Sequence, residues 1–138
     1  DGSPLAMKAL QHACQLAQAM AARVTLLHVS AEYPVTITEE SVIYHQVTRA
    51  EYAALRKKEA ERILGAAVRK AERLGVAARM AHEFAPAPWR AILSTAKKLK
   101  CDAIVMASHG RGGVASLLLG NETQKVLAHS RLPVLVVR

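Results

Sequence analysis

The stretch that decides the fold reads Cys101-Asp102-Ala103-Ile104-Val105-Met106-Ala107-Ser108-His109-Gly110-Arg111-Gly112-Gly113, and after six further residues Gly120-Asn121-Glu122-Thr123. Ala103 to Ala107 is an unbroken apolar run, the pattern of a central strand buried on both faces in a parallel sheet. The strand predicted over Cys101–Ala107 runs into a glycine loop, and Gly120-Asn121 opens a helix predicted to reach Ser130. Glycines let a backbone approach a phosphate closely and turn its N–H groups inward. A helix N-terminus adds free donors and the positive end of a dipole. Arg111 can supply a charge-assisted contact, and Asn121 and Thr123 can cap the helix or bond a phosphate oxygen. No Gly-Lys-Ser/Thr follows, so this is not a Walker loop, and the dinucleotide Gly-x-Gly-x-x-Gly after a first strand is absent too.

Outward from this segment, strands and helices alternate. Pro133 to Val137 closes the chain as a strand. Before the central strand, Trp89, Ile92, Leu93, Ala96 and Leu99 mark a helix that follows the breaks at Pro86 and Pro88. Val76–Phe84 reads as a strand. Thr48–Leu74 is the longest helix, with an apolar stripe through Ala60, Ile63, Leu64, Ala67 and Ala71, and Gly75 stops it. Ser30–Val47 has no clean period and reads as a long loop. Val24–Val29 is a buried strand, and Leu5–Ala22 a helix with Ser3 as N-cap and Pro4 in its first turn. Helix-strand alternation of this kind implies right-handed crossovers in an open, doubly wound, mostly parallel sheet with helices on both faces. Since a first helix in such folds normally leaves a strand, a strand is expected upstream of Asp1. Asp1-Gly2-Ser3 then becomes the loop at its C-terminal end, where these folds bind ligands.

Composition narrows the classes. The chain has 138 residues, about the length of one domain, and 51% are apolar. No apolar run approaches the roughly 20 residues of a membrane span, and no signal peptide opens the sequence. Cys14 and Cys101 read as reduced thiols of a cytoplasmic protein. The net charge is +8, but Arg56, Lys57, Lys58, Arg62, Arg69, Lys70 and Arg73 alternate with Glu51, Glu59, Glu61 and Glu72 on one helix, as a solvated face does. Aromatic residues are too sparse for base stacking, and no nucleic-acid motif is present. The six histidines lack metal-ligand spacing. His28 reads as a satisfied polar residue, His109 as a loop hydrogen-bonding group rather than a phosphoryl catalyst, and Trp89 as packing.

The residues from 107 to 123 resemble the universal stress protein family, whose members carry Gly, two residues, Gly, nine residues, then Gly-Ser or Gly-Thr. Gly110, nine residues and Gly120 match, while Ala107 stands for the first glycine and Asn121 for the hydroxyl residue. Asp1-Gly2-Ser3, Leu27-His28-Val29, Ile104-Val105-Met106 and Leu132 to Val137 extend the resemblance over nearly the whole chain. It implies one Rossmann-like domain of the adenine nucleotide alpha hydrolase type, with a five-stranded sheet. It implies binding of an adenine nucleotide, ATP foremost, with Mg²⁺ as an optional companion, in stress response or signalling rather than as an enzyme. Asp1 and Val29 would border adenine and ribose. Ala107 and Gly110 would line ribose and phosphates, and Gly120, Asn121, Glu122 and Thr123 would serve the phosphates. Many members dimerise through the last strand, so a homodimer through Pro133 to Val137 is expected. Two alternatives stay open: a dimeric interaction module that binds no nucleotide, and a slow ATP hydrolase. The lack of a convincing general base counts against the second.

Overall fold

Each helix end is set by a few local hydrogen bonds. Helix α1 (Pro4–Ala19) starts where the Ser3 hydroxyl accepts from the Ala6 amide, with Pro4 in its first turn. Helix α2 (Arg49–Arg73) starts with a capping box: the Thr48 side chain accepts from the Glu51 amide, and Glu51 reaches back to the Thr48 amide. These hydrogen bonds hold the Glu51 carboxyl below the usual glutamate range. Helices α3 (Pro88–Lys98) and α4 (Asn121–His129) follow, with strands β1 (Val24–Ser30), β2 (Ala78–Phe84), β3 (Ile104–Ala107) and β4 (Val134–Val137) between and after them. The computed structural model describes residues 1–34, 47–110 and 119–138. Most of the expected Ser30–Val47 loop lies outside the described residues, as do Arg111, Gly112 and Gly113.

The alternation of helix and strand is as expected, but three boundaries move for one reason. At the ends of α1, α2 and α3 a residue with positive φ (Ala21 at 49°, Gly75 at 71°, Lys100 at 53°) turns the chain. The next amide then bonds back to the last turn: Ala22 to the Ala17 carbonyl, Val76 to Ala71, Cys101 to Ala96. This is the Schellman arrangement, in which the apolar residue after the turn packs back on its own helix. Val76 therefore sits in the core, and Cys101 packs against a second apolar cluster. Strands predicted from Val76 and from Cys101 begin only at Ala78 and Ile104.

The strands form two parallel pairs. β1 pairs with β2 in the register Val24↔Ala78 to Ser30↔Phe84, and β3 with β4 in the register Ile104↔Val134 to Ala107↔Val137. Among the described residues these are two two-stranded parallel sheets; the fifth strand was expected upstream of Asp1. β1 and β3 are not paired with each other among the described residues. Helices cover both faces. α1 and α2 bury Leu10, Cys14, Ala17, Ala67 and Ala71 against Val24, Leu26 and Ala78. On the other side Ala96 and Val126, from α3 and α4, pack on Ile104, Met106 and Val134. Burial pushes the Cys14 thiol up, with Lys70 opposing the shift, so Cys14 behaves as a small buried hydrophobe. Among the described residues no helix is long and apolar enough to cross a membrane.

Candidate functional site

The carboxyl end of β3 and the amino end of α4 are joined by two hydrogen bonds and a close backbone approach. The Gly120 amide donates to the Ser108 carbonyl at 2.7 Å. The Thr123 hydroxyl donates to the Ala107 carbonyl at 3.1 Å, and Thr123 is 2% exposed. A Cβ on Gly120 would meet the Ser108 carbonyl oxygen at 3.1 Å and the His109 Cα at 3.2 Å. A side chain at position 120 would need the turn to give by a few tenths of an ångström, so a bare backbone suits this close start of the helix. Ser108 is itself fully buried, and its amide donates to the Val137 carbonyl at 2.8 Å, which ties the turn to the end of β4. The Ser108 hydroxyl and His109 Nδ1 lie 3.0 Å apart, so His109 is held within the turn.

Gly120 is the N-cap of α4, and among the described residues no side chain caps that end. The first amides of an α-helix have no partner within the helix, and here they lie beside the glycine turn. Asn121 is exposed at the helix start, and its side chain makes no capping hydrogen bond among the described residues. Glu122 is committed elsewhere: its carboxylate accepts from the Trp89 amide at 2.8 Å and pairs with Lys125 at 3.3 Å. It thereby caps α3, whose own N-cap residue, Ala87, cannot. The Trp89 ring stacks on His129, with centroids 4.7 Å apart, and the Arg90 guanidinium lies 5.1 Å from its centroid. Trp89 is a packing residue between α3 and α4, as read from the sequence.

Asp1 reaches the same turn from the other side. Its Oδ1 accepts from the Ser3 amide at 3.0 Å, and its Oδ2 lies 2.7 Å from where a Gly110 Cβ would stand. A carboxylate on a short side chain can give way, so the demand for glycine is weaker at 110 than at 120, where the neighbour is backbone. Asp1, Ala107, Gly110, Gly120 and Thr123 are therefore brought together. Val29 pairs with Glu83 near the end of β1, and no described contact joins it to the turn. Arg111 lies outside the described residues. Sequence reading assigned no role to Ser108. Its signal was a small polar residue at the end of an apolar strand, two positions before a glycine. Among the described residues no three metal-ligating side chains converge.

A sequence model of the universal stress protein family matches residues 1–138. Universal stress protein YxiE of Bacillus subtilis is 34% identical over 142 residues, spanning all of this chain and 94% of that protein. A universal stress protein of Thermus aquaticus is 36% identical over 141 residues, spanning 93% of its length. Among solved structures, protein MJ0577 superposes with a TM-score of 0.77 at 29% identity, over 94% of this chain and 84% of that one. Two more share the fold with TM-scores of 0.68. One is a universal stress protein in complex with cAMP, 24% identical, covering all of this chain and 90% of its own. The other is the Archaeoglobus fulgidus protein in complex with dAMP, 18% identical, covering 99% and 90%.

Proposed function

The chain belongs to the universal stress protein family, and on that premise we propose that it binds an adenine nucleotide, ATP foremost, at the turn between β3 and α4. The observation that carries the reading is the start of α4: a helix end with no side-chain cap among the described residues, seated so closely against a turn that a side chain at position 120 would crowd the backbone of Ser108 and His109. The complexes of related folds with cAMP and dAMP support the choice of base. The backbone amides of Asn121, Glu122 and Thr123 take the phosphate oxygens, helped by the helix dipole. Asp1 and Val29 border the base and ribose, with Ala107 and Gly110 beside the ribose and Arg111 on the phosphates. The residues fit Mg²⁺ only as a companion of the phosphates, since no protein cage for it exists among those described.

The reading extends to the whole molecule. The two strand pairs are the outer parts of a five-stranded sheet. The protein works in the cytoplasm as a nucleotide-responsive signalling component and not as an enzyme. It pairs with a second copy through Pro133 to Val137, where Leu135 is exposed on an edge strand. Calorimetric titration with ATP and Mg²⁺ tests the site, with light scattering on the same samples reading the dimer. The wild type is expected to bind and Gly120→Val to lose binding, because its side chain fills the space against Ser108 and His109. Equal affinity of the two proteins would reject the site.

A further inference from the structure

Among the described residues β2 pairs with β1 on one side and with no strand on the other. The Val24 amide donates to the Ala77 carbonyl, and the Ala85 amide to the Ser30 carbonyl. In a parallel ladder this alternation turns the backbone groups of the odd-numbered β2 residues towards β1. Those of Ala78, Met80, His82 and Phe84 therefore point outward, along an edge that can accept a further strand. Met80 and Phe84 are 55% and 40% exposed there. The opposite face of the strand carries the charges, with Arg79 and Glu83 on either side of Ala81. Four strand residues hold these two apart by roughly 13 Å, too far for a pair within one chain. Glu83 has no ion pair among the described residues. Arg79 is exposed and donates through Nε to the Thr25 hydroxyl at 2.8 Å, so its two outer nitrogens are the ones left for a carboxylate.

We infer that β2 is a self-pairing edge: it takes the same strand of a second copy, antiparallel, about a two-fold axis at Ala81. Charge selects this register. With Ala81 on the axis, Arg79 faces the second copy's Glu83 and Glu83 faces the second copy's Arg79, so one complementary pair occurs twice. Moving the axis to Met80 or His82 breaks both pairs. The ladder agrees with the charges. Met80 and His82, whose backbone groups point outward, fall in hydrogen-bonded positions opposite each other's copies. Arg79 and Glu83 fall in the non-hydrogen-bonded positions, where facing Cα atoms lie about 4.5 Å apart and side chains meet closely. A foreign peptide could use the same backbone groups, but it meets both charges only if it carries the opposite ones at the same spacing. The second copy does so by symmetry. The interface is one strand wide, so association is weak and concentration-dependent. The inference depends neither on nucleotide binding nor on pairing through β4, and it is tested without them.

Sedimentation equilibrium over rising protein concentration is the readout, in a Leu135→Lys parent whose added charge blocks pairing through β4. Circular dichroism checks that every variant is folded. Arg79→Glu sets carboxylate against carboxylate at both positions, and Glu83→Arg sets guanidinium against guanidinium. Each is expected to weaken self-association by about tenfold or more, since like charges directly opposite are unfavourable. Mixed in equal amounts, the two variants oppose unlike charges at both positions again. The mixture is expected to associate within about threefold of the parent, a rescue that misfolded proteins could not give. A parent that stays monomeric at millimolar concentration would overturn the inference. So would single variants that associate as the parent does, because another surface would then be in use, or a mixture that stays monomeric.

Discussion

Helices α1 and α2 carry their own caps, Ser3 and Thr48, whereas α3 and α4 do not. The difference is positional. The starts of α1 and α2 are closed by a residue adjacent in sequence, which stabilises each helix independently of the rest of the fold. α3 borrows the Glu122 carboxylate from α4, and α4 itself is left open at Gly120. With Gly120 at its N-cap, α4 forgoes about a few tenths of a kcal/mol relative to a Ser or Thr cap. In the proposed function the open end faces the phosphates, which would offset that cost. The Glu122 side chain joins two helices, so in the proposed site its backbone amide is the group offered to a phosphate.

The largest expected effect that sharpens this contrast is at Thr123. Thr123→Val keeps the shape and removes the hydroxyl that donates to the Ala107 carbonyl. It should cost about 1–2 kcal/mol of stability, as a buried acceptor loses its partner, and should weaken ATP binding as the helix loosens from the turn. Urea denaturation and titration together would show both; a change in stability alone would separate α4 from the site. Glu122→Ala should cost about 1 kcal/mol, the value of a cap, with ATP affinity within about twofold of wild type. A large loss of affinity would return its carboxylate to the ligand.

The smallest effect lies at the closed end of α2. Thr48→Ala should cost about 1 kcal/mol and leave ATP binding unchanged. The Glu51 carboxyl is lowered by its hydrogen bonds to Thr48. A group whose folded value is depressed stabilises above its unfolded value and loses that contribution as pH falls through the folded one. The stability gap between wild type and Glu51→Gln should therefore close as pH is lowered past the normal glutamate range. A gap that widened in acid would contradict the capping box as the cause.

Local signals made much of this legible. The order of elements, the Ser3 cap, the stop at Gly75 and the glycine spacing from 110 to 120 are all read over a few residues. The over-long strands at Val76 and Cys101 arose because an apolar residue after a helix can plug its end as readily as begin a strand. At Lys100 no glycine marked the turn. The role of Glu122 was hidden because its partner, Trp89, is 33 residues away. Ser108 was hidden because its fixed amide depends on Val137 at the end of another strand. What sequence spacing conveyed was the position of the β3–α4 turn that forms the candidate site; what it could not convey was which side chains tertiary packing had already claimed.

The most direct test of the open helix end is the response of its own amides. In ¹⁵N-labelled protein titrated with ATP and Mg²⁺, the backbone amides of Asn121, Glu122 and Thr123 should shift in step with saturation, while those of Ala6 and Glu51, already bonded to Ser3 and Thr48, should not move. Shifts that spare residues 121–123 while ATP binds elsewhere, or no shift at all at millimolar ATP, would contradict the assignment of α4 as the phosphate site.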